Sequence, residues 1–257
     1  MLENTFIHIP GVGSQMEQAL WKRGCLTWQD ALDNLSDLSF GAADLEKVER
    51  VLNRSVEALA NGEHQFFTPL LGLKEAWRAF PAFRNSCAYV DIETDGGKGG
   101  QSITMIGLYD GQEFDCFIKK QSLAAFRDRI SHFSMIVTFF GASFDLPIIL
   151  KGFPGLTLDQ IHIDLCPTLK SVGVGGGLKK IEKFFGIDRG EDTDGLTGYD
   201  AVLLWRRWEM TRNQGALDKL VAYNREDVVN MERLAEIAYE MKKSATFDSV
   251  FAIDQCE

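Results

Sequence analysis

The chain has 257 residues, 45% of them hydrophobic and 25% charged, a composition that excludes disordered, collagenous and membrane-spanning classes. Lys+Arg 27 against Asp+Glu 37 leaves a net charge of −10, which excludes binding of a polyanion by overall charge and leaves only a local site for one. The length admits one large domain or a core domain with a small appendage. The opening MLENTFIHIP has neither a basic start nor an uninterrupted apolar run, and no apolar stretch elsewhere approaches the ~18 residues of a membrane span. A cytoplasmic protein without membrane contact is expected. Cys25, Cys87, Cys116, Cys166 and Cys256 are too scattered for a zinc site or a disulfide framework and read as reduced, mostly buried thiols.

Residues 1–80 carry helical spacing, as in Leu45, Val48, Leu52, Val56 and Leu59, and are expected to form a small helical module. From SCAYVDIET onward the texture becomes β-rich. Ala88 to Thr94, SITMIGLYD and EFDCFIK read as three antiparallel strands, the last two joined at Asp110-Gly111. SLAAFRDRISH follows as a helix with Ser122 as its N-cap, then the buried run MIVTFF ending near Phe140, then FDLPIILKGF and the strand IHIDL. Strands separated by helices imply parallel crossovers. GLKKIEKFFG, YDAVLLWRRWEM and the stretch from Ala216 to Lys242 close the chain as helices, and GGKGG (96–100) and GVGGG (173–177) read as loops. The expected fold is α/β: a ribonuclease-H-like mixed five-stranded sheet flanked by helices over 81–257, preceded by the helical module 1–80.

In DIETDG, Asp91 and Glu93 lie two residues apart on a β-patterned run, so both carboxylates leave the same face of the strand. FFGASFDLP places Asp145 just past a buried strand, where a third carboxylate can reach a sheet edge. In YNREDVVN, Tyr223 and Asp227 stand at i and i+4 of a helix and share one face. Clustered carboxylates repel unless a cation lies among them, and oxygen-only ligands select Mg²⁺ or Mn²⁺ over zinc. Asp164 in IHIDL offers a further ligand, but capping the helix that follows explains it at least as well, and it is left out of the set.

Taken in order, DIETDG, FGASFDLP and YNRED resemble the three motifs of the DEDD exonuclease superfamily in its tyrosine-bearing (DEDDy) branch. With HIDLCPTLK, GLKKIEKFFGI and GLTGYDAVLLW between them, the resemblance is to the YprB-like ribonuclease-H-like family over roughly Ser86 to Ala238. It implies that Asp91, Glu93 and Asp227 hold metal, that Asp145 holds a second ion directly or through water, and that Tyr223 orients the attacking water. The implied activity is 3′→5′ exonuclease cleavage of DNA or RNA with a free 3′ end, using two Mg²⁺ or Mn²⁺ ions. The chain departs from the family at Phe140, where Asn often precedes the glycine, and at Asp95, where Thr is common. The alternatives are an endonuclease with the same metal chemistry and a non-catalytic nucleic-acid-binding or scaffold protein with a vestigial site.

Lys179 and Lys180 follow the GVGGG loop and can reach a substrate phosphate, although the GxxxxGK[ST] pattern is absent. Trp205 and Trp208, at helical spacing, read as core. His132 and His162 are assigned structural or surface roles, and His8 and His64 none. Near the start, Ile9-Pro10-Gly11-Val12-Gly13 resembles the hairpin of a helix-hairpin-helix element, which implies backbone amides at Gly11 and Gly13 open to a phosphate. Protein packing is the competing role for this hairpin.

Overall fold

Five strands and their flanking helices follow the expected element order. The computed structural model describes residues 1–41, 43–97, 102–190 and 193–252; Cys256 and most of the GGKGG loop lie outside these. Four helices occupy the amino-terminal part: α1 (Ser14–Lys22), α2 (Trp28–Asp33), α3 (Leu45–Ala60) and α4 (His64–Glu75). Thr27 and Asp30 form a reciprocal capping box at the start of α2, and Asp44 caps α3. The buried face of α3 is Val48, Leu52, Ser55 and Ala58, whereas Leu45 and Val56 face solvent. These two apolar residues flank the 3.6-residue stripe instead of lying on it. A turn of α5 (Phe80–Phe83) leads into β1 (Cys87–Thr94).

β1, β2 (Ile103–Tyr109) and β3 (Phe114–Ile118) form an antiparallel meander. Gly111 adopts φ +95° in the β2–β3 turn, where Asp110 Oδ1 accepts the Gln112 and Glu113 amides. Ser122 does not cap the next helix: its hydroxyl accepts from Ile118 N and donates to Cys116 O, closing the exit from β3, and α6 (Phe126–Ile130) begins later. β4 (Met135–Thr138), α7 (Asp145–Gly152), β5 (Ile161–Asp164), α8 (Leu165–Lys170), α9 (Leu178–Phe184), α10 (Gly198–Thr211), the 30-residue α11 (Gln214–Lys243) and α12 (Ser249–Ala252) complete the chain. The sheet order is β3-β2-β1-β4-β5, with β4 parallel to β1 and β5 parallel to β4.

β4 stops two residues short of the expected end. Phe140 has φ +66° and is 53% exposed, so the strand breaks before it. The turn beyond is held by Asp164, whose carboxylate accepts the Phe140 amide at 2.7 Å and the Ala142 amide at 3.1 Å while also capping α8 through Cys166 N. Gly141 is required there because a Cβ would meet the Thr138 side chain at 2.2 Å.

The two faces of the sheet bury different partners. Ala88, Val90 and Ile92 pack with Phe126, Ile130 and Ile149 from α6 and α7. Cys87 and Tyr89 face Val228, Met231 and Leu234 of α11, in a hydrophobic cluster that continues through Phe83 and Phe67 to Trp28, Trp21 and Phe6. The amino-terminal helices therefore share a core with the sheet. At the other end of α11, Trp205 and Trp208 of α10 pack on Leu217, Leu220 and Met105, the core role expected of them. Among the described residues no helix is long and apolar enough to cross a membrane.

Candidate metal centre

β1 pairs with β4 only from Cys87 to Tyr89, while its pairing with β2 continues to Thr94. Past Tyr89 the sheet therefore opens between two parallel strands whose connections run in opposite directions, the position at which open α/β sheets place their ligand sites. Asp91 and Glu93 lie on the continuation of the Cys87/Tyr89 face and so look toward α11. From α11, Tyr223 and Asp227 come to the same point, with Asn224 beside them.

Carboxylate oxygens of Asp91, Glu93 and Asp227 all lie within 4.8 Å of one another. Asp145 is not in this tight group. It opens α7 on the far side of the split, and its Oδ1 accepts the Ile92 amide at 3.1 Å, a donor left free where β4 no longer pairs with β1. Asp145 thus fastens the margin of the site and stays near enough to raise the Asp91 pKa.

Burial, before any other cause, pushes all four acids above the usual carboxylate range. Asp91 is raised well above it, with Asp145, Asp227 and Glu93 adding repulsion. Glu93 rises to about 8 and Asp145 to about 7. Asp227 reaches only about 6, because the Arg189 guanidinium offsets part of its desolvation. Such a set resists full ionisation unless a cation lies among its members. Its donors are all hard oxygens, so the residues fit a divalent cation of the Mg²⁺ or Mn²⁺ kind.

Two adjoining clefts of about 390 and 360 Å³ share Asp91, Gly198, Tyr223 and Asp227. The first is walled by Phe139, Lys179 and Lys180, the second by Phe144, Tyr199 and Val202. Lys179 Nζ stands 4.3 Å from the centre of the Tyr223 ring and has no hydrogen-bond partner among the described residues. Burial, first, and the neighbouring carboxylates raise the Tyr223 pKa further above its ordinary value, so the phenol stays protonated.

Several neighbours of the site carry no motif of their own. Asn224 Nδ2 donates to Asp91 Oδ2 at 2.9 Å. Arg189 donates to both oxygens of buried Glu182, at 2.7 and 2.9 Å, and also to Asp227 Oδ1. The only sequence signal for Asn224 is its place between the tyrosine and the aspartate. Asp95, next to the acidic pair, accepts the Gly97 and Ser102 amides and so shapes the strand exit. His162 Nε2 lies 2.9 Å from Thr138 Oγ1 between β5 and β4, a structural role.

At the amino terminus, residues before Gly11 form successive backbone turns, with Thr5 N bonded to Leu2 O, Ile9 N to Phe6 O and Val12 N to Ile9 O, and α1 follows. Gly11 has φ +91°, Gly13 is the N-cap of α1, and both are exposed while Ile9 and Val12 are buried.

The family model described as RNase_H superfamily matches residues 88–239, a span that holds all five strands apart from Cys87 at the start of β1. No curated protein matches. Among solved structures, the chain is similar to the family B DNA polymerase from the hyperthermophilic archaeon Pyrobaculum calidifontis, with 14% identity and a TM-score of 0.46. That similarity covers 61% of this chain and 24% of the polymerase chain.

Proposed function

The chain belongs to the RNase_H superfamily, and on that premise we propose that it is a divalent-metal-dependent 3′→5′ exonuclease of the DEDDy, YprB-like kind acting on DNA or RNA. The observation that carries the reading is the meeting of Asp91, Glu93 and Asp227 within 4.8 Å at the split in the sheet, beneath a buried tyrosine. In this reading Asp91, Glu93 and Asp227 hold a cation, and Asp145 serves a second ion directly or through water. Bound Mg²⁺ or Mn²⁺ supplies Lewis-acid stabilisation of charge on the attacking and leaving oxygens of the phosphodiester.

The protein's own groups do the rest. Tyr223, protonated, orients the water that attacks phosphorus as the 3′ oxygen departs. Lys179, which has no hydrogen-bond partner among the described residues and lines the same cleft, pairs with a non-bridging phosphate oxygen. The exposed ring of Tyr199 across the cleft offers a face for a base. Residues 81–257 form the nuclease domain in this proposal and 1–80 an appended module, with the Gly11 and Gly13 amides as a second, sequence-independent phosphate contact.

The test is digestion of 3′-labelled and 5′-labelled DNA and RNA with Mg²⁺, Mn²⁺ or EDTA, using the intact protein and Asp91→Asn. A metal-dependent ladder from the 3′ end, lost in the variant, is expected. An internal cut would favour an endonuclease, and silence with every substrate a vestigial site. A thermal scan at pH 8 separates the last case further. Mg²⁺ should raise the midpoint of the intact protein and leave Asp91→Asn unmoved.

A further inference from the structure

The site carboxylate that stands apart from the other three is Asp227, because among the described residues it alone has a guanidinium against it. Arg189 lies in the connection after α9, its side chain only 6% exposed, and its Nε and Nη2 grip the two oxygens of Glu182 at 2.7 and 2.9 Å. The same Nη2 bonds Asp227 Oδ1. Glu182 is itself fixed from α11, where Asn230 Nδ2 donates to its Oε1 at 3.0 Å. A fork of planar guanidinium and carboxylate is thus anchored on α9 at one end and on α11 at the other, with Asp227 at its tip.

As a stabilising device this arrangement has little to recommend it, since burying an ion pair costs about as much desolvation as the attraction returns. As an orienting device it fits its place. The Cβ–Cγ torsion of an aspartate is broad and roughly two-fold, so packing alone fixes the carboxylate plane poorly. A donor on one oxygen fixes that plane, and with it the way Asp227 meets Asp91 and Glu93.

We infer that Arg189, braced by Glu182, is the positioning residue that sets the orientation of Asp227 toward the divalent cation; this rests on the cation site proposed above. Outer groups that hold a ligand in this way change metal affinity by about 10–100-fold when removed. The competing account makes Arg189 a rival of the cation for Asp227, and then its removal tightens metal binding.

The two accounts differ in sign, and direct metal binding reads that sign without any substrate. Removing Arg189 alone would strand the Glu182 charge and invite unfolding, so the principal variant is Arg189→Met with Glu182→Met. It deletes one positive and one negative charge together and leaves the net field at the site nearly unchanged. Mn²⁺ affinity is measured by the loss of the free-ion electron paramagnetic resonance signal in the full-length protein, in this double variant, in Arg189→Lys and in Asp91→Asn.

The double variant should unfold cooperatively like the parent and bind Mn²⁺ about 10–100-fold more weakly. Arg189→Lys, which keeps the charge and loses the fork, should also bind more weakly; it carries the test if the double variant does not fold. Unchanged or tighter Mn²⁺ binding in the folded variant would overturn the positioning role alone. Failure of the intact protein to bind Mn²⁺, or equal binding by Asp91→Asn, would overturn the cation site and the role of Arg189 with it.

Discussion

Gly107 sits directly across from Asp91 in the β1–β2 register, and it is the residue whose lack of a side chain lets α11 reach the acidic pair. A Cβ at this position would stand 1.9 Å from Asn224 Oδ1, 2.9 Å from its Cγ and 3.2 Å from Phe114 Cε2. Asn224 is fully buried and has its amide on Asp91, so it can yield only by leaving that hydrogen bond. Gly107→Ala is therefore expected to cost ~1–3 kcal/mol for overpacking and ~0.5–3 kcal/mol for the lost bond, together about 1.5–6 kcal/mol.

Asn224→Ala removes the obstructing atom, and in that background Gly107→Ala should cost less than about 1 kcal/mol. Urea unfolding of the four proteins in EDTA completes the cycle. The expected interaction energy is on the order of 1–3 kcal/mol, with the double variant more stable than the sum of the singles. Additivity within about 0.5 kcal/mol would refute the claim that Gly107 exists to admit Asn224.

Three further expectations concern other parts of the molecule. Tyr223→Phe should lower turnover at saturating substrate about tenfold or more with little change in substrate binding, and a loss confined to binding would remove the water-orienting role. Gly13→Ala meets no atom within 4 Å and needs no unusual backbone angle, whereas Gly11→Ala is strained at φ +91°. If the hairpin holds a phosphate, Gly13→Ala should weaken long substrates and spare very short ones while costing no more than about 1 kcal/mol for the poorer N-cap, and equal length dependence in variant and parent would leave the turn with a packing role only. His8 is buried against Trp28 and Ser55, and burial, reinforced by the Arg78 charge, lowers its pKa to about 4. Neutral His8 therefore contributes stability that is lost as pH falls from ~6.5 toward that value, about 2 kcal/mol of it by pH 5. His8→Gln should flatten the acid side of the stability curve relative to the parent, and parallel curves would contradict the assignment.

The elements were legible because each carries a local cause. The period-2 runs of β1 to β3, the Asp110-Gly111 turn and the long stripe of α11 are statements about neighbours within a few residues. Element order then limits the topology, since a meander followed by right-handed crossovers has few ways to close. Misreadings arose where a distant side chain decides a local boundary. MIVTFF reads as six strand residues, yet β4 ends at Thr138 because Asp164, more than twenty residues later, takes the Phe140 and Ala142 amides and turns the chain away. Ser122 has the chemistry of an N-cap and spends it on the exit from β3.

The site divides along the same line. Asp91, Glu93, Tyr223 and Asp227 stand out in the sequence because each pair is set by the repeat of its own element, two residues on a strand or four on a helix. Asn224, Glu182 and Arg189 have no such mark. An arginine five residues past the end of a lysine-rich helix segment reads as one more solvated cation, and Glu182 reads as the exposed acid of an amphipathic turn. What makes them part of the site is that α9 and α11 lie side by side over the split in the sheet, which brings three charged groups from separate segments out of water together. Each is tolerable there only through the others: Glu182 needs Arg189, and Arg189 beside Asp227 holds that acid closer to its ordinary pKa than Glu93 or Asp145. Charge compensation of this kind belongs to a place in the fold, so the residues that supply it emerge only once the chain has been closed around the site.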